Sequence, residues 1–393
     1  MTAFFHIAWK YISYYRLRSA ILVACVSLIA VLPLSLQLLL DESESQLLSR
    51  ATTTPLVLGA KGSALDLVMN TLYFDDEVPG TVSAEAADTV TQSGLALGVP
   101  VYARFRARSY PVVGTTLDYF DFRNLAMASG RPLALLGEAV IGASVAAELG
   151  LDPGDSLVST PETVFDLAGI YPLKMQVVGV LERSHSPDDL AVFVDIRTAW
   201  IIAGLGHGHE DLARARDKSV IMEATGDAVV ASPKLLQYTE ITDANRASFH
   251  FHGATDSYPL TAVLVVPDDA RAGTILRGRY LDAAADYQVV KPDTVIDGLL
   301  QNIFRIKTVI DGVIVIVGLA TGLAVLLVFL LSMRLRQREI ETITRIGCSR
   351  FAVLQLLVAE ILIVIILSGL IVTATVACVD TYASDLVRLL IIN

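Results

Sequence analysis

The sequence of 393 residues predicts a membrane protein with three transmembrane α-helices and a large α+β extracytoplasmic domain. Three observations carry that prediction. Hydrophobic residues make up 53% of the chain against 18% charged, and the mean hydropathy is +0.57, a balance suited to lipid. Three apolar runs are each long enough to span a bilayer, and the long stretch between the first and second contains no such run. That stretch also carries most of the acidic residues, with 19 basic against 35 acidic over 41–300, a net of −16.

Residues 1–18 form a cytoplasmic or interfacial helix in which Phe4, Phe5, Trp9, Tyr11, Tyr14 and Tyr15 alternate with Lys10 and Arg16. The first span, 19–40, is a run of 22 residues without a charge, roughly 33 Å of helix. Lys10, Arg16 and Arg18 precede it and Asp41, Glu42 and Glu44 follow, so it runs from inside to outside. A cleaved signal peptide is the simpler alternative, but its apolar core is about 7–15 residues and needs small residues at the cut, where this chain has Glu42-Ser43-Glu44-Ser45-Gln46. A retained anchor is expected.

The second span is 308–333 and the third is 351–379. Between them, 334–350 carries Arg334, Arg336, Arg338, Arg345 and Arg350 against Glu339 and Glu341, a net of +3 that places this loop in the cytoplasm. The residues 380–393 then form an external tail. Cys25 and Cys378 fall in spans and Cys348 in the loop, so the external domain has no cysteine and stands on its apolar core.

Within 41–300, Val101 to Arg108 alternates strictly: Val101, Ala103, Phe105 and Ala107 share one face of a half-buried strand, and Tyr102, Arg104, Arg106 and Arg108 the other. Met175 to Leu181, Ala191 to Ile196 and Leu260 to Val266 are further strands, rich in β-branched residues and bounded by turn formers. Ser83 is placed as the cap of a helix ending near Gly94. Glu138 to Leu149 reads as one helix stopped by Gly150, before the turn Asp152-Pro153-Gly154-Asp155. Helices interleaved with strands make the domain α+β, with two lobes expected. There is no clean internal repeat, and the only low-complexity run is Thr52-Thr53-Thr54 before Pro55.

Several functions are excluded. A net charge of −11 and a pI near 5.0 argue against nucleic-acid binding. Gly59-Ala60-Lys61-Gly62-Ser63 has the wrong order for a phosphate-binding loop, so ATP is hydrolysed elsewhere. Gly204-Leu205-Gly206-His207-Gly208 fails the dinucleotide spacing, and no Gly-x-Ser-x-Gly nucleophile motif occurs.

Four of the six histidines fall in two His-x-His pairs, His207-Gly208-His209 and His250-Phe251-His252. On a strand, His250 and His252 share a face while Phe249 and Phe251 pack on the other, which sets two imidazoles at chelating distance. His185, followed by Asp188 and Asp189, is a fifth candidate ligand, and zinc the candidate ion in the external domain. A polar surface loop with ordinarily hydrogen-bonded histidines explains the same residues. A third reading, an external metalloenzyme built on these pairs, needs a general base, for which Glu210 is the one candidate the sequence offers. Asp311, near the outer end of the second span, and Glu360, inside the third, are costly in hydrocarbon and are candidates for function or for a headgroup-level position. Without a chain of ionisable groups across the membrane, neither a proton relay nor an ion channel is indicated.

In the cytoplasmic loop, Ile340, Ile343 and Ile346 fall on one helical stripe among charges, a short amphipathic helix suited to a partner's groove. A basic turn that only fixes topology is the alternative. Arg336, Glu339, Ile340, Gly347, Ser349 and Arg350, with Glu360 early in the next span, fit the pattern Arg-x-x-Glu-Ile-x-x-x-x-x-x-Gly-x-x-Arg. This resembles the loop of ABC transporter permeases of the macrolide-exporter, lipoprotein-releasing and cell-division type (MacB/FtsX-like). The external segments Leu149-Gly150-Leu151-Asp152-Pro153-Gly154-Asp155-Ser156-Leu157 and Val177-Val178-Gly179-Val180-Leu181 are similar to parts of that family's periplasmic core domain. The family usually has four spans, and this sequence shows three.

The resemblance implies a non-catalytic permease subunit of the bacterial inner membrane with its N-terminus inside and its large domain outside. It implies an ABC ATPase partner, bringing ATP and Mg and docking on Arg336, Arg338, Glu339, Ile340, Ile343, Arg345, Ile346, Gly347 and Arg350. It further implies a homodimer or permease pair, and leaves room for a periplasmic accessory protein. Movement of the external domain, rather than a solute pore, would then do the work. The competing reading is a membrane-anchored ligand or metal sensor without an ATPase, for which the sequence holds no output domain.

Overall fold

The computed structural model describes residues 2–160, 172–208, 221–225, 228–231, 239–281, 286–335, 337, 341, 345 and 349–391. Helices α1 (Thr2–Tyr14) and α2 (Arg16–Thr53) lead to β1 (Leu56–Ala60), α3 (Ala64–Tyr73), β2 (Val82–Ser83), α4 (Glu85–Gln92) and the long strand β3 (Ala96–Ala107). There follow β4 (Tyr110–Thr115), α5 (Leu117–Arg123), β5 (Met127–Gly130), β6 (Glu138–Ile141), α6 (Ala143–Leu149), β7 (Ser156–Val158), β8 (Lys174–Leu181), β9 (Val192–Asp195) and α7 (Ile196–Ile202). The chain continues through β10 (Gly206–Gly208), β11 (Ile221–Thr225), β12 (Ala228–Ala231), β13 (Phe249–Phe251), β14 (Pro259–Leu260), β15 (Ala262–Pro267), α8 (Ala270–Arg279) and β16 (Tyr287–Val290). It closes with α9 (Pro292–Leu335) and α10 (Arg350–Ile391). These elements fall into two compact units, Leu47–Gly298 and the pair of segments Met1–Gln46 and Leu299–Asn393.

In the unit Leu47–Gly298, one mixed sheet runs in the order β16-β1-β15-β3-β4-β9-β6-β8-β5, with β7 on the side of β8. β4–β9 and β6–β8 are parallel and the other neighbours are antiparallel. Helices lie on a mostly antiparallel sheet, the α+β class that interleaved patterns indicate. The sequence suggests two lobes, whereas the strands form one continuous sheet within a single compact unit; β3 runs through it, its residues 96–101 pairing with β15 and its residues 102–107 with β4. The switch falls where Thr261 interrupts the partner strand: its hydroxyl lies 3.1 Å from both the Val101 carbonyl and the Ala103 amide, so the buried backbone there keeps its partners. Val112, Ile141, Met175, Val177, Val192 and Phe193 are fully buried and form the centre of the core.

The strand is present, though it begins five residues earlier than read, at Ala96, and its alternation is incomplete: Arg104 is exposed as expected, but a bulge falls between Ala103 and Phe105, and Tyr102, expected on the arginine face, is buried against Phe105. Two sequence assignments are corrected. Ser83 does not cap a helix; it pairs with Pro259 in a short ladder, and α4 starts at Glu85 after Ala84. Glu138 to Leu149 is not one helix. Glu138–Ile141 is a strand buried at every position, Gly142 is extended, and only Ala143–Leu149 is helical, with Gly150 in the left-handed region as its cap. A strand covered on both faces shows no period of two, so the run is indistinguishable by pattern from a buried helix.

That strand brings a carboxylate inside. Glu138 binds Arg131 through both oxygens and accepts the amides of Ala134 and Leu135 at 2.9 and 3.0 Å. Burial pushes its pKa up, but Arg131 and the two amides outweigh this and hold it below the usual range. Its stabilising contribution is therefore present above about pH 4.3 and lost as pH falls through the folded value. Glu138→Ala leaves two turn amides without their acceptor, and a loss of about 2–3 kcal/mol is expected in a denaturant titration; a loss of a few tenths would show that water replaces the carboxylate.

In the other unit, α1 and α10 meet where Ala8 packs on Ala359 and Ile363, and Leu22 and Val23 of α2 pack on Val364. The Ser368 hydroxyl donates to the Val23 carbonyl at 3.3 Å. The N-terminal helix is thus packed on protein along one side, beyond the interfacial role its aromatics suggest. Arg16–Thr53 and Phe351–Ala383 are long and apolar enough to cross a membrane, and only 22% and 29% of their most apolar windows are buried. Leu28, Leu32, Ile316, Leu319, Ile366 and Leu370 are each more than half exposed. Helices apolar on the outside suit hydrocarbon rather than water. Within α9 the described stretch of this kind is shorter, Asp311–Ala324. Helix α10 continues to Ile391 without a break at Asp380.

Candidate functional site

Two constellations in the unit Leu47–Gly298 stand out. The first is at its N-terminal edge, where the last turns of α2 enter it. Leu47 and Ala51 are buried there, and the Tyr73 hydroxyl donates to the Leu47 carbonyl. Arg50, also buried, reaches Asp188 with both terminal nitrogens at 2.7 and 2.9 Å and the Tyr119 hydroxyl oxygen at 2.9 Å. The Tyr119 hydroxyl itself donates to Asp188 at 2.7 Å. The Phe74 ring lies 5.6 Å from the Arg50 guanidinium carbon. Beside it, Arg123 donates to the Thr54 hydroxyl at 2.9 Å and lies over the Tyr119 and Phe122 rings.

Asp188 sits in a one-turn 3-10 segment, Pro187–Leu190, capped by Ser186. Burial pushes its carboxyl pKa up, but the Arg50 charge and its hydrogen bonds more than reverse this and hold the group below the usual carboxylate range. Burial, and then the Asp188 charge, raise the Tyr119 phenol, which stays a donor at any ordinary pH. A bidentate guanidinium–carboxylate pair with a third donor is directional and, when buried, costly to break. The pair fixes the last turns of α2 to the sheet domain, and among the described residues around it there is no nucleophile set beside a base.

The second constellation is built by a two-stranded ladder. β10 and β13 pair antiparallel with Gly206 opposite Phe251, His207 opposite His250 and Gly208 opposite Phe249. Phe249 and Phe251 pack on the core, where Phe251 meets Trp200 edge-on at 6.5 Å and Arg197 at 5.0 Å. The glycines make room for them: a Cβ on Gly206 or Gly208 would come within 2.7 or 2.5 Å of the facing ring. The other face then carries His207, His250 and His252, with all three pairs of ring centroids 4.9 Å apart. The Nε2 atoms of His207 and His252 lie 3.4 Å apart, and His250 Nδ1 lies 3.0 Å from the Ser248 carbonyl. Tyr258 fixes both strands, its hydroxyl 2.8 Å from the His252 carbonyl and 3.1 Å from that of Leu205.

Of the proposed ligands, the structure therefore gathers His207, His250 and His252 and leaves His185 out. His185 is an exposed residue at φ 56°, and the acids beside it are engaged otherwise, Asp188 by Arg50 and Asp189 by Ser184 and the His185 amide. His209 and Glu210 lie outside the described residues, as do Arg336, Arg338, Glu339, Ile340, Ile343, Ile346 and Gly347. Arg345 is exposed, and Arg350 begins α10. Asp311 is exposed on α9, and Glu360 is buried one residue from the Ala359 contact with α1. Arg50 and Tyr119 were not singled out from the sequence, and Asp188 was read only as a neighbour of His185; the one available signal was a lone arginine just before the Thr52-Thr53-Thr54 run.

Compared with known proteins, residues 20–232 match the family described as the MacB-like periplasmic core domain. The periplasmic region of MacB from Actinobacillus actinomycetemcomitans is similar at 12% identity over 64% of this chain and 97% of that one, with a TM-score of 0.35. The extracellular domain of the noncanonic ABC-type transporter YknZ from Gram-positive bacteria is similar at 13% identity over 60% and 98%, with a TM-score of 0.32. No curated protein matches the sequence.

Proposed function

The chain belongs to the MacB-like periplasmic core domain family, that of the MacB/FtsX-like ABC permeases, and on that premise we propose that it is a permease subunit working by mechanotransmission. A separate ATPase, binding ATP and Mg, docks on the basic loop 334–350 in the cytoplasm, and its closure is passed along the helices to the external domain, which acts on the cargo. Two copies, or this chain and a second permease, form the working pair in the bacterial inner membrane. The N-terminus is inside, 41–300 is outside, α9 supplies the second span through 308–333, and α10 supplies the third through 351–379.

The observation that carries this reading is the match over 20–232, which begins in the apolar part of α2 and runs on into the sheet domain. Arg50 supports it, because the helix containing the first span ends in a buried ion pair within the external domain rather than in a loose linker. A pull or twist on a helix is transmitted only where its end is fixed.

Co-purification tests the proposal. Tagged full-length chain, extracted in detergent with the ATPase encoded beside it, is expected to retain that ATPase, and Glu339→Lys combined with Arg345→Glu is expected to lose it without changing the melting of the external unit. Retention by the variant would remove the loop from the interface. If no ATPase is retained even by the wild type, the permease reading falls and the sensor reading takes its place.

A further inference from the structure

We infer that His207, His250 and His252 form a binding site for a divalent transition-metal ion of the zinc type on the external domain, a conclusion independent of the permease reading. Geometry carries it. Tetrahedral zinc with Zn–N bonds of about 2.0–2.1 Å requires ligand nitrogens about 3.3–3.4 Å apart, and His207 Nε2 and His252 Nε2 are 3.4 Å apart. The candidate ligand atoms of all three residues lie within 4.8 Å of one another, so a small rotation of His250 completes the set.

The ladder also fixes which nitrogen of His250 is available. The Ser248 carbonyl can only accept, so His250 Nδ1 carries the proton and Nε2 the lone pair. A histidine that donates its second nitrogen to a backbone carbonyl is the usual support for a metal ligand. Imidazole ligands without thiolate suit zinc, copper or nickel and not magnesium or calcium. Three protein ligands leave a fourth position for water.

The ion has a structural consequence. His207 and His250 bracket the long segment between β10 and β13, and a metal bridging them closes that loop across a ladder of only three residue pairs. Metal clips that close long loops stabilise the folded state, and binding to the folded state alone raises the melting temperature with ligand concentration.

The test uses the full-length chain in detergent, stripped with chelator and titrated with Zn(II). The expected result is one zinc per chain by elemental analysis, a rise in melting temperature with zinc, and the visible absorption of tetrahedral Co(II) on cobalt substitution. His252→Ala, at an exposed strand end and so least able to disturb folding, should weaken zinc binding by more than the roughly 10–100-fold cost of losing an outer support. His207→Ala/His250→Ala/His252→Ala should abolish both the stoichiometric zinc and the thermal shift. The inference is overturned if the stripped wild type takes up no stoichiometric zinc, or if the triple variant, folded by circular dichroism, binds zinc as the wild type does.

Discussion

Arg50→Ala is expected to destabilise the external unit by about 3–5 kcal/mol, because it strands the buried Asp188 carboxylate without its counter-charge. Asp188→Ala should cost a similar amount for the mirror reason. The double variant Arg50→Met/Asp188→Leu should recover part of the loss, since it removes both charges of the pair, but not all of it, because the buried Tyr119 hydroxyl loses its acceptor and Arg123 its neighbouring carboxylate. Trp200 is buried in this unit and the only other tryptophan, Trp9, is exposed on α1, so a Trp9→Phe background turns indole fluorescence into a report on the external unit. A single-variant cost below about 1 kcal/mol would put this pair among the screened surface pairs. The sign with pH follows from Asp188, whose pKa is depressed in the fold. The contribution is present above the unfolded value of about 3.9 and disappears as pH falls through the lower folded value. Wild type should therefore lose more stability on acidification than Arg50→Met/Asp188→Leu does. If α2 transmits the ATPase stroke, Arg50→Lys, which keeps the charge but not the bidentate fork, should lower transport more than it lowers stability.

Gly142→Ala is expected to cost about 1–3 kcal/mol or more through crowding rather than lost interaction. Its new Cβ would lie 2.3 Å from the carbonyl oxygens of both Asp188 and Asp189, and these are backbone atoms that cannot swing away. The residue is also held in place by its own amide, which donates to the Ala191 carbonyl at 2.9 Å. Relief requires the Pro187–Leu190 turn to move, and Asp188 with it, so the same methyl group that overpacks β6 also loosens the arginine joint. The two substitutions should then be non-additive: Gly142→Ala in the Arg50→Ala background should cost visibly less than in wild type. Gly62→Ala, with nothing within 4 Å of the added carbon, is the control and should be close to neutral in the same titration. Equal costs at the two glycines would refute the crowding argument.

What could be read from the sequence follows a physical division. Val177, Val192 and Leu264 lie in runs of β-branched and apolar residues with turn formers at their ends, so those strands were legible. Glu138–Ile141 was not, because a strand covered on both faces has no period to betray it and Gly142 looked like part of a helix. The histidine face was half legible: alternation puts His250 and His252 together, but bringing His207 to them needs the pairing of β10 with β13, a non-local choice of register. His185 was attracted to its acidic neighbours, whose oxygens in the fold are bound by Arg50, Ser184 and backbone amides. The joint itself is 138 residues apart in sequence and has no local signature at all. The family was legible because its motifs are turns and loops, such as the Asp152 amide bound by Asp155 at 2.8 Å next to the Gly150 cap, and such features are set by local chemistry.

The helices that connect the two units change ownership partway along, α2 between Gln46 and Leu47 and α9 between Gly298 and Leu299. The hydroxyls of Thr52, Thr53 and Thr54 close the end of α2 by donating to the carbonyls of Leu48, Ser49 and Arg50 four residues back, which makes Pro55 look like the natural place to cut. It is the wrong one. A graft or recombination that exchanges the outer module at Pro55 carries Asp188 and Tyr119 into the hybrid and leaves Arg50 behind, whereas a seam at 46/47 and 298/299 moves the whole ion pair together. Modules of this kind can be shuffled between anchors only with the final two turns of helix that precede them.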